Sequence, residues 1–507
     1  MPPFFISLAS IFTALLVWWL RRLSVKHVNG PPSTSFLLGH EYILRSQDKF
    51  GALETKWCRE YGTVYRIKGS LGQDVLMVSD PKALEHIFHS SRPYPKTKDN
   101  NFMVSLILGS GGLVVAEYDA HRRQRKVLNP AFSPANLRDF QIIFQQCSEK
   151  IVDAMGRTSA SEPIDVSAWV SKVSLDIIGA FQYDFGSLDG QDTELEGALK
   201  YLHTASWQSN PSTLEFIVVA LIRILPASVL KVLKAVSTRT VHELARVGKS
   251  AGKVAREILA AQAELGVQDE SNKDILNILS KSTTRARLIG QMRDDEIEPQ
   301  FVTFLVAGHD TTATTLSWML YELAAHPEHQ LIIREELRQS HRNDYDALPF
   351  LNAAIKETLR LHPFVPTLAR AAPYDDVLPL MGSKTLVIPK GQILYCSIYL
   401  YNRLQSIWGA DAEEWNPSRF LDKNIPVPLG VYANLMTFSA GSRSCIGWRF
   451  AVMEMQTVLA NLIRNFEFSL PEGMVIEQMP GAHATVPVVK GMEHLGSRVP
   501  LKIKRLE

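Results

Sequence analysis

The rhythm of hydrophobic and polar positions changes early in this 507-residue chain. Phe4 to Leu20 is almost uniformly apolar, interrupted only by Ser7, Ser10 and Thr13, and Arg21, Arg22 and Lys26 follow at once. A membrane-spanning helix needs about 20 apolar residues, so this run just suffices. Its basic flank predicts a single span whose C-terminal side faces the cytosol. A cleaved leader would need a basic start and a small-residue cleavage site, and the run has neither. Gly30-Pro31-Pro32-Ser33 then reads as a stiff linker.

Further on, alternating positions at Thr63 to Ile67 and Val75 to Val78 flank a turn-rich Gly69 to Gly72 and predict a hairpin. From about residue 81 to 340 the spacing is mostly helical, and Asp80-Pro81 supplies a cap and a first-turn proline. Thr385 to Ile388 and Ile393 to Tyr395, joined by Pro389-Lys390-Gly391, predict a second hairpin. Thr485 to Leu506 is strand-like, and the charged stretch Leu265 to Glu296 reads as an exposed connection. The prediction is a mainly α fold with small β-sheets (α+β): an anchor at 1–22, a hinge at 23–40 and one large domain at 41–507. Length alone would allow roughly three domains of about 150 residues, but no boundary splits the body.

Composition changes this picture little. Lys and Arg number 54 against 52 Asp and Glu, a net charge of +2, so nothing draws the whole chain to nucleic acid. The four cysteines, Cys58, Cys147, Cys396 and Cys445, show no C-x-x-C spacing and make no disulfide framework.

Candidate chemistry gathers in four places. The first is Phe438-Ser-Ala-Gly441-Ser-Arg443-Ser-Cys445-Ile-Gly447, just before a helical pattern of Val452, Met455, Leu459, Leu462, Ile463 and Phe466. At a helix start, free amides and the dipole favour a thiolate. Gly441 and Gly447 permit close backbone approach, and Arg443 can pair with a carboxylate. Taken alone, an ordinary buried cysteine explains the loop equally well. The second is Glu357-Thr-Leu-Arg360, whose charges share a helix face; most such pairs are surface salt bridges. The third is Ala307-Gly308-His309-Asp310-Thr311-Thr312, inside the apolar run Phe301 to Leu320. Thr311 can bond back to the Ala307 carbonyl, bend the helix and open a turn. The fourth is the basic run His121 to Lys126, a pattern that is usually just a solvated face.

Phe438, Gly441, Arg443, Cys445 and Gly447 match all five fixed positions of the haem-binding signature of the cytochrome P-450 family, which the chain resembles almost throughout. The resemblance implies haem b (iron protoporphyrin IX) with Cys445 as axial thiolate. It implies that Glu357 and Arg360 join Arg419, in Asn416-Pro417-Ser418-Arg419-Phe420, in a buried ion network that holds the proximal haem loop. Ser418 stands where Glu is often seen. Asp310 and Thr311 match the family's acid–alcohol pair, which delivers protons for dioxygen cleavage, while His309 occupies a variable position. His121, Arg125 and Arg370 match propionate-binding positions, with His121 standing where Trp is common.

The implied activity is a monooxygenase acting on a lipophilic small molecule. NADPH and flavins act only through a separate partner, NADPH–cytochrome P-450 reductase, with cytochrome b5 as an optional second donor. The implied place is the endoplasmic reticulum membrane, with the catalytic domain in the cytosol. The family's layout points to Phe102 to Leu108, the Ala307 turn, Phe364 to Leu368 and Ala482 to Val486 as substrate contacts, with Thr367, His483 and Thr485 as the polar ones. Lys126 to Phe140 resembles enzymes of mushroom-forming fungi, which points to terpenoid tailoring in secondary metabolism. Fatty acid or xenobiotic hydroxylation is the alternative, followed by a reductase-independent isomerase or dehydratase and a non-catalytic haem- or lipid-binding membrane protein.

Overall fold

The computed structural model describes residues 25–179 apart from 34 and 159–161, then 197, 213–224, 238–265, 275–421 apart from 289 and 341–343, and 428–506 apart from 481–483. The expected anchor and His483 lie outside the described residues. Among the described residues no helix is long and apolar enough to cross a membrane.

The helices are α1 (Glu41–Arg45), α2 (Ala52–Tyr61), α3 (Pro81–His89), α4 (Lys98–Leu108), α5 (Tyr118–Leu128), α6 (Pro134–Gly156), α7 (Val166–Gly179) and α8 (Thr213–Ile224). There follow α9 (Arg239–Leu265), α10 (Ile275–Leu288), α11 (Asp294–Ala325), α12 (Pro327–Gln339), α13 (Pro349–Leu361), α14 (Ile398–Tyr401), α15 (Gln405–Trp408) and α16 (Trp448–Asn465). The strands are β1 (Val64–Lys68), β2 (Asp74–Val78), β3 (Ile164–Asp165), β4 (Thr367–Ala371), β5 (Asp376–Leu380), β6 (Lys384–Ile388), β7 (Ile393–Ser397), β8 (Phe466–Ser469), β9 (Ile476–Pro480), β10 (Thr485–Val489) and β11 (Pro500–Arg505). The fold is therefore mainly helical with small sheets, as expected.

Local chemistry explains the boundaries that matter. Asp80 caps α3 by accepting from the amides of Lys82 (3.1 Å) and Ala83 (3.3 Å), with Pro81 in the first turn. The central helix α11 opens with Asp294, Asp295 and Glu296, charges that suit the positive end of its dipole. Arg123 of α5 grips Glu296 with two bonds (2.8 and 2.6 Å) and ties α5 to that start. Phe301, Leu305, Leu316 and Leu320 of α11 are buried in a core shared with α6, α7, α13 and α16.

One four-stranded sheet runs in the order β1-β2-β7-β4, with β2 and β7 parallel and the other pairs antiparallel. The first predicted hairpin is β1–β2, in the register Val64 opposite Val78. The second is corrected. β6 pairs with β5, whereas β7 crosses to the centre of the four-stranded sheet. The turn forms, with the Gln392 amide on the Pro389 carbonyl (3.0 Å). However, Ile393, Leu394 and Cys396 of β7 are buried, which demands a neighbour on both edges. The region Leu265 to Glu296 also differs from its reading as a connection, because it contains α10. Leu279, Thr283 and Ala286, spaced along one face of α10, are buried beneath its charged surface. The strand-like tail divides into β10, paired with β9, and β11, which joins β3 and β8.

Candidate active site

Cys445 lies in a loop three residues before α16. Its amide donates to the Phe438 carbonyl (2.8 Å), and the Phe438 ring meets that of Tyr432. Gly441 has φ of +67°, and a Cβ there would sit 1.9 Å from the Phe88 carbonyl oxygen, so only glycine fits. Gly447 differs from its expectation. A Cβ there would make only ordinary contact with Phe132 (3.6 Å), and what Gly447 contributes is an amide bonded toward Cys445.

The Cys445 side chain is accessible although the loop lies deep in the protein, so it faces internal space rather than bulk water. Burial pushes its thiol up, while the Gly447 amide and the Arg125 guanidinium pull it down. The helix-start argument thus holds only in part. With burial the largest effect, a thiolate here needs another positive charge close by, and a thiolate-bound iron fits that need.

A cluster of cations, Arg370 buried and Lys96, Arg125 and Arg443 partly buried, stands beside this loop. Arg443 pairs with Glu117 and donates to the Ala116 carbonyl (2.9 Å). Lys96 lies 3.6 Å from Glu117. The backbone of Lys96 bridges to that of Arg370, which is itself buried. Arg125 donates to the Ser444 carbonyl next to Cys445. Burial, then Arg443, bring Lys96 down to about 7. Burial, then Arg443, Lys96 and Arg125, bring His121 down to about 3, so its ring is neutral. Among the described residues Lys96, Arg370 and Arg443 gather around Glu117, and Arg125 stands beside Cys445, so the partly buried positive groups outnumber the carboxylate that meets them. The two propionates of a haem would balance that excess, and this donor set fits that group. Lys96 and Glu117 escaped the sequence reading, because neither belongs to a recognisable run.

Behind the loop lies the ion network. Glu357 and Arg360 are fully buried and joined by two bonds of 2.8 Å. Arg360 also donates to the carbonyls of Asn402 (2.7 Å), Ala412 (2.6 Å) and Glu414 (2.9 Å). Arg419 approaches Glu357 at 3.4 Å but is gripped by Asp411 with two bonds of 2.8 Å. That guanidinium holds the Asp411 carboxyl at about 2. Asn402 carries the network onward: its amide group donates to Thr437 Oγ1 (2.9 Å) and its carbonyl accepts from the Met436 amide (3.3 Å), just before Phe438. Asp411 is a second member that sequence reasoning missed.

On α11, Thr311 Oγ1 donates to the Ala307 carbonyl (2.9 Å), as expected. The helix nevertheless runs unbroken from Asp294 to Ala325. Room at this turn comes from the small, exposed Ala307 rather than from a gap in the ladder. Gly308 faces α7, where a Cβ would lie 2.7 Å from Ile178 Cδ1. Asp310 and Thr311 are half-buried. His309 is buried, with Nε2 2.9 Å from Ser171 Oγ. Ser174 Oγ lies 3.2 Å from the His309 carbonyl oxygen and 2.7 Å from the buried Glu454 carboxyl of α16, which joins the two helices. Burial pushes Glu454 up to about 8.

Comparison with known proteins agrees with this geometry. The family model described as Cytochrome P450 matches residues 29–491. The cytochrome P450 monooxygenase claQ of Ampulloclitocybe clavipes is 31% identical over 536 residues, covering 98% of this chain and 98% of its own length. Cytochrome P450 monooxygenase 128 of Postia placenta is 32% identical over 514 residues, covering 94% of this chain and 92% of its own length. Cytochrome P450 monooxygenase 81 of the same fungus is 33% identical over 533 residues, covering 97% and 95%.

Proposed function

Since this chain belongs to the cytochrome P450 family and is a monooxygenase of it, we propose that it inserts one oxygen atom from dioxygen into a terpenoid of fungal secondary metabolism, at the endoplasmic reticulum membrane. One observation carries the chemical part of the proposal: the accessible Cys445 sulfur deep in the protein, beside partly buried cations in excess of their carboxylate. The terpenoid part is supported by the largely apolar segments Phe102 to Leu108 and Phe364 to Leu368, together with the fungal relatives.

Haem b, when bound, supplies dioxygen activation by an electron-rich, thiolate-ligated iron. The residues of the chain have separate tasks. Cys445 provides the thiolate. Arg125, Arg370, Arg443, Lys96 and neutral His121 would hold the propionates. Glu357, Arg360 and Arg419 keep the loop in register through Asn402. Thr311 spends its own proton on the Ala307 carbonyl, which leaves its oxygen free to accept, and Asp310 beside it would relay protons taken up from solvent. The apolar flank of α11 keeps bulk water out. NADPH-derived electrons come from a separate reductase, and the exposed Arg122 and Lys126 of α5 suit an acidic partner.

The test is turnover in microsomes with reductase and NADPH, offered a panel of terpenes under isotopically labelled dioxygen. The expected result is a product with one labelled oxygen atom. No turnover of any terpene, alongside a normal thiolate-type carbon monoxide spectrum, would overturn the proposal.

A further inference from the structure

A cavity of about 320 Å³ lies between α1, α4, α8, the start of α9 and the first sheet. Met103 and Thr367, each in a segment expected to touch substrate, line it. So does Ala369, whose neighbour Arg370 belongs to the cation cluster beside Cys445. Successive strand residues face opposite sides, so β4 separates the cavity from that cluster. The inference rests on the monooxygenase reading for the position of the haem.

The wall of this cavity is unusually acidic for the approach to an apolar site. Glu41, Glu54, Asp99 and Glu215 line it, against Arg45 and Arg223. Both arginines are already engaged. Arg223 is bound by Glu41 (2.6 Å) and Asp99 (2.6 Å) and donates to the Tyr395 hydroxyl (2.7 Å), which in turn donates to Glu41 (2.7 Å). Arg45 is drawn toward Glu215, which also accepts from the amide (3.1 Å) and hydroxyl (2.6 Å) of Thr240. Asp99 Oδ1 is buried without a hydrogen-bond partner among the described residues. A buried acceptor without a donor is costly, and a ligand hydroxyl would satisfy it.

We propose that this cavity is an outer substrate subsite that accepts neutral, hydroxyl-bearing lipophiles and rejects carboxylates, with Asp99 and Glu41 as the residues that set the preference. An incoming carboxylate would meet the carboxylates of Glu41, Asp99 and Glu215, with Glu54 pushed toward its neutral form by burial, and two arginines whose charge is already matched. Like charges brought together out of water repel strongly, and discrimination of this kind comes from repulsion as much as attraction. The fatty acid alternative is thereby disfavoured, because its substrate carries an anion.

The experiment compares two probes of equal length, an N-alkylimidazole ending in a hydroxyl and its counterpart ending in a carboxylate. The imidazole nitrogen binds the haem iron, so the Soret shift reports occupancy without turnover. The holoprotein should bind the alcohol at least about tenfold more tightly. In the double variant Asp99→Asn with Glu41→Gln, Arg223 becomes an uncompensated cation, and the preference should fall by about tenfold or reverse. Asp99→Asn alone keeps an acceptor for Arg223 and guards against loss of fold; it should narrow the preference about threefold. Equal affinities in the holoprotein would overturn the inference. So would an unchanged preference in either variant that keeps its haem-thiolate spectrum. Absence of any terpene product would sink the terpenoid reading while leaving the measured preference in place, so the two failures are distinguishable.

Discussion

At the scale of single residues, what separates Cys445 from the other three thiols is its surroundings. Cys147 and Cys396 are buried against apolar side chains, and burial pushes Cys396 up to about 12. Cys58 is half-buried beside Ser79 and is also pushed up by burial. Cys445 alone combines an accessible sulfur, an amide aimed at it and a guanidinium close by. Cys445→Ala should therefore abolish the thiolate-type carbon monoxide band of the purified protein, while alanine at 58, 147 or 396 leaves it intact. A surviving band in Cys445→Ala would remove the basis of the site. The same scale shows what a sequence cannot display. The five signature positions were legible because they fall within ten residues. Lys96, Glu117 and Asp411 meet their partners only through the fold, so no spacing betrays them. Their energies differ accordingly. Glu357→Gln breaks a fully buried pair and should cost about 3–5 kcal/mol, enough to lower the yield of holoprotein sharply. Asp411 is about a third exposed, so Asp411→Asn should cost only about 1 kcal/mol and keep the haem. Urea unfolding of the two variants separates these cases, and equal losses would contradict the ranking.

At the scale of elements, helices were read more reliably than strand partners. Helical spacing is local, so α11, α13 and α16 were visible from their own residues. Strand pairing is not, and the turn at Pro389 to Gly391 resembled a hairpin although β7 had to be buried between β2 and β4. The link from α16 through Ser174 of α7 to α11 was equally hidden, since Ser174, His309 and Glu454 are far apart in the chain. It has a consequence for stability. The Glu454 carboxyl is raised from 4.5 to about 8 by burial, so the folded protein keeps this proton where the unfolded chain has lost it. The contribution is fully present below pH 4.5 and is lost as pH rises toward about 8, at a slope of up to about 1.4 kcal/mol per pH unit. Gln keeps the shape and cannot ionise. Glu454→Gln should thus match the parent protein in thermal midpoint at about pH 4.5 and exceed it near pH 8. An equal difference at both pH values would mean that Glu454 does not titrate on unfolding.

At the scale of the whole molecule, two kinds of membrane attachment are in question. They differ enough in strength to be told apart. The body exposes Phe36, Leu37 and Leu214, whose segments pack against the turn Ser70–Gly72. Burying each such side chain in lipid contributes at most about 1.5–3 kcal/mol, so together they give reversible binding. The apolar run Phe4 to Leu20 is longer, and a spanning helix of that kind is held effectively irreversibly. If residues 1–22 are the anchor, their deletion should leave the haem-thiolate spectrum unchanged, because Cys445, the cation cluster and the ion network all come from residue 96 onward. The full-length protein should stay in the membrane pellet through an alkaline carbonate wash. The shortened protein should pellet with membranes in low salt and leave them in carbonate. Retention of the shortened protein through that wash would move the anchor into the body, and loss of its spectrum would mean that the first residues take part in the fold.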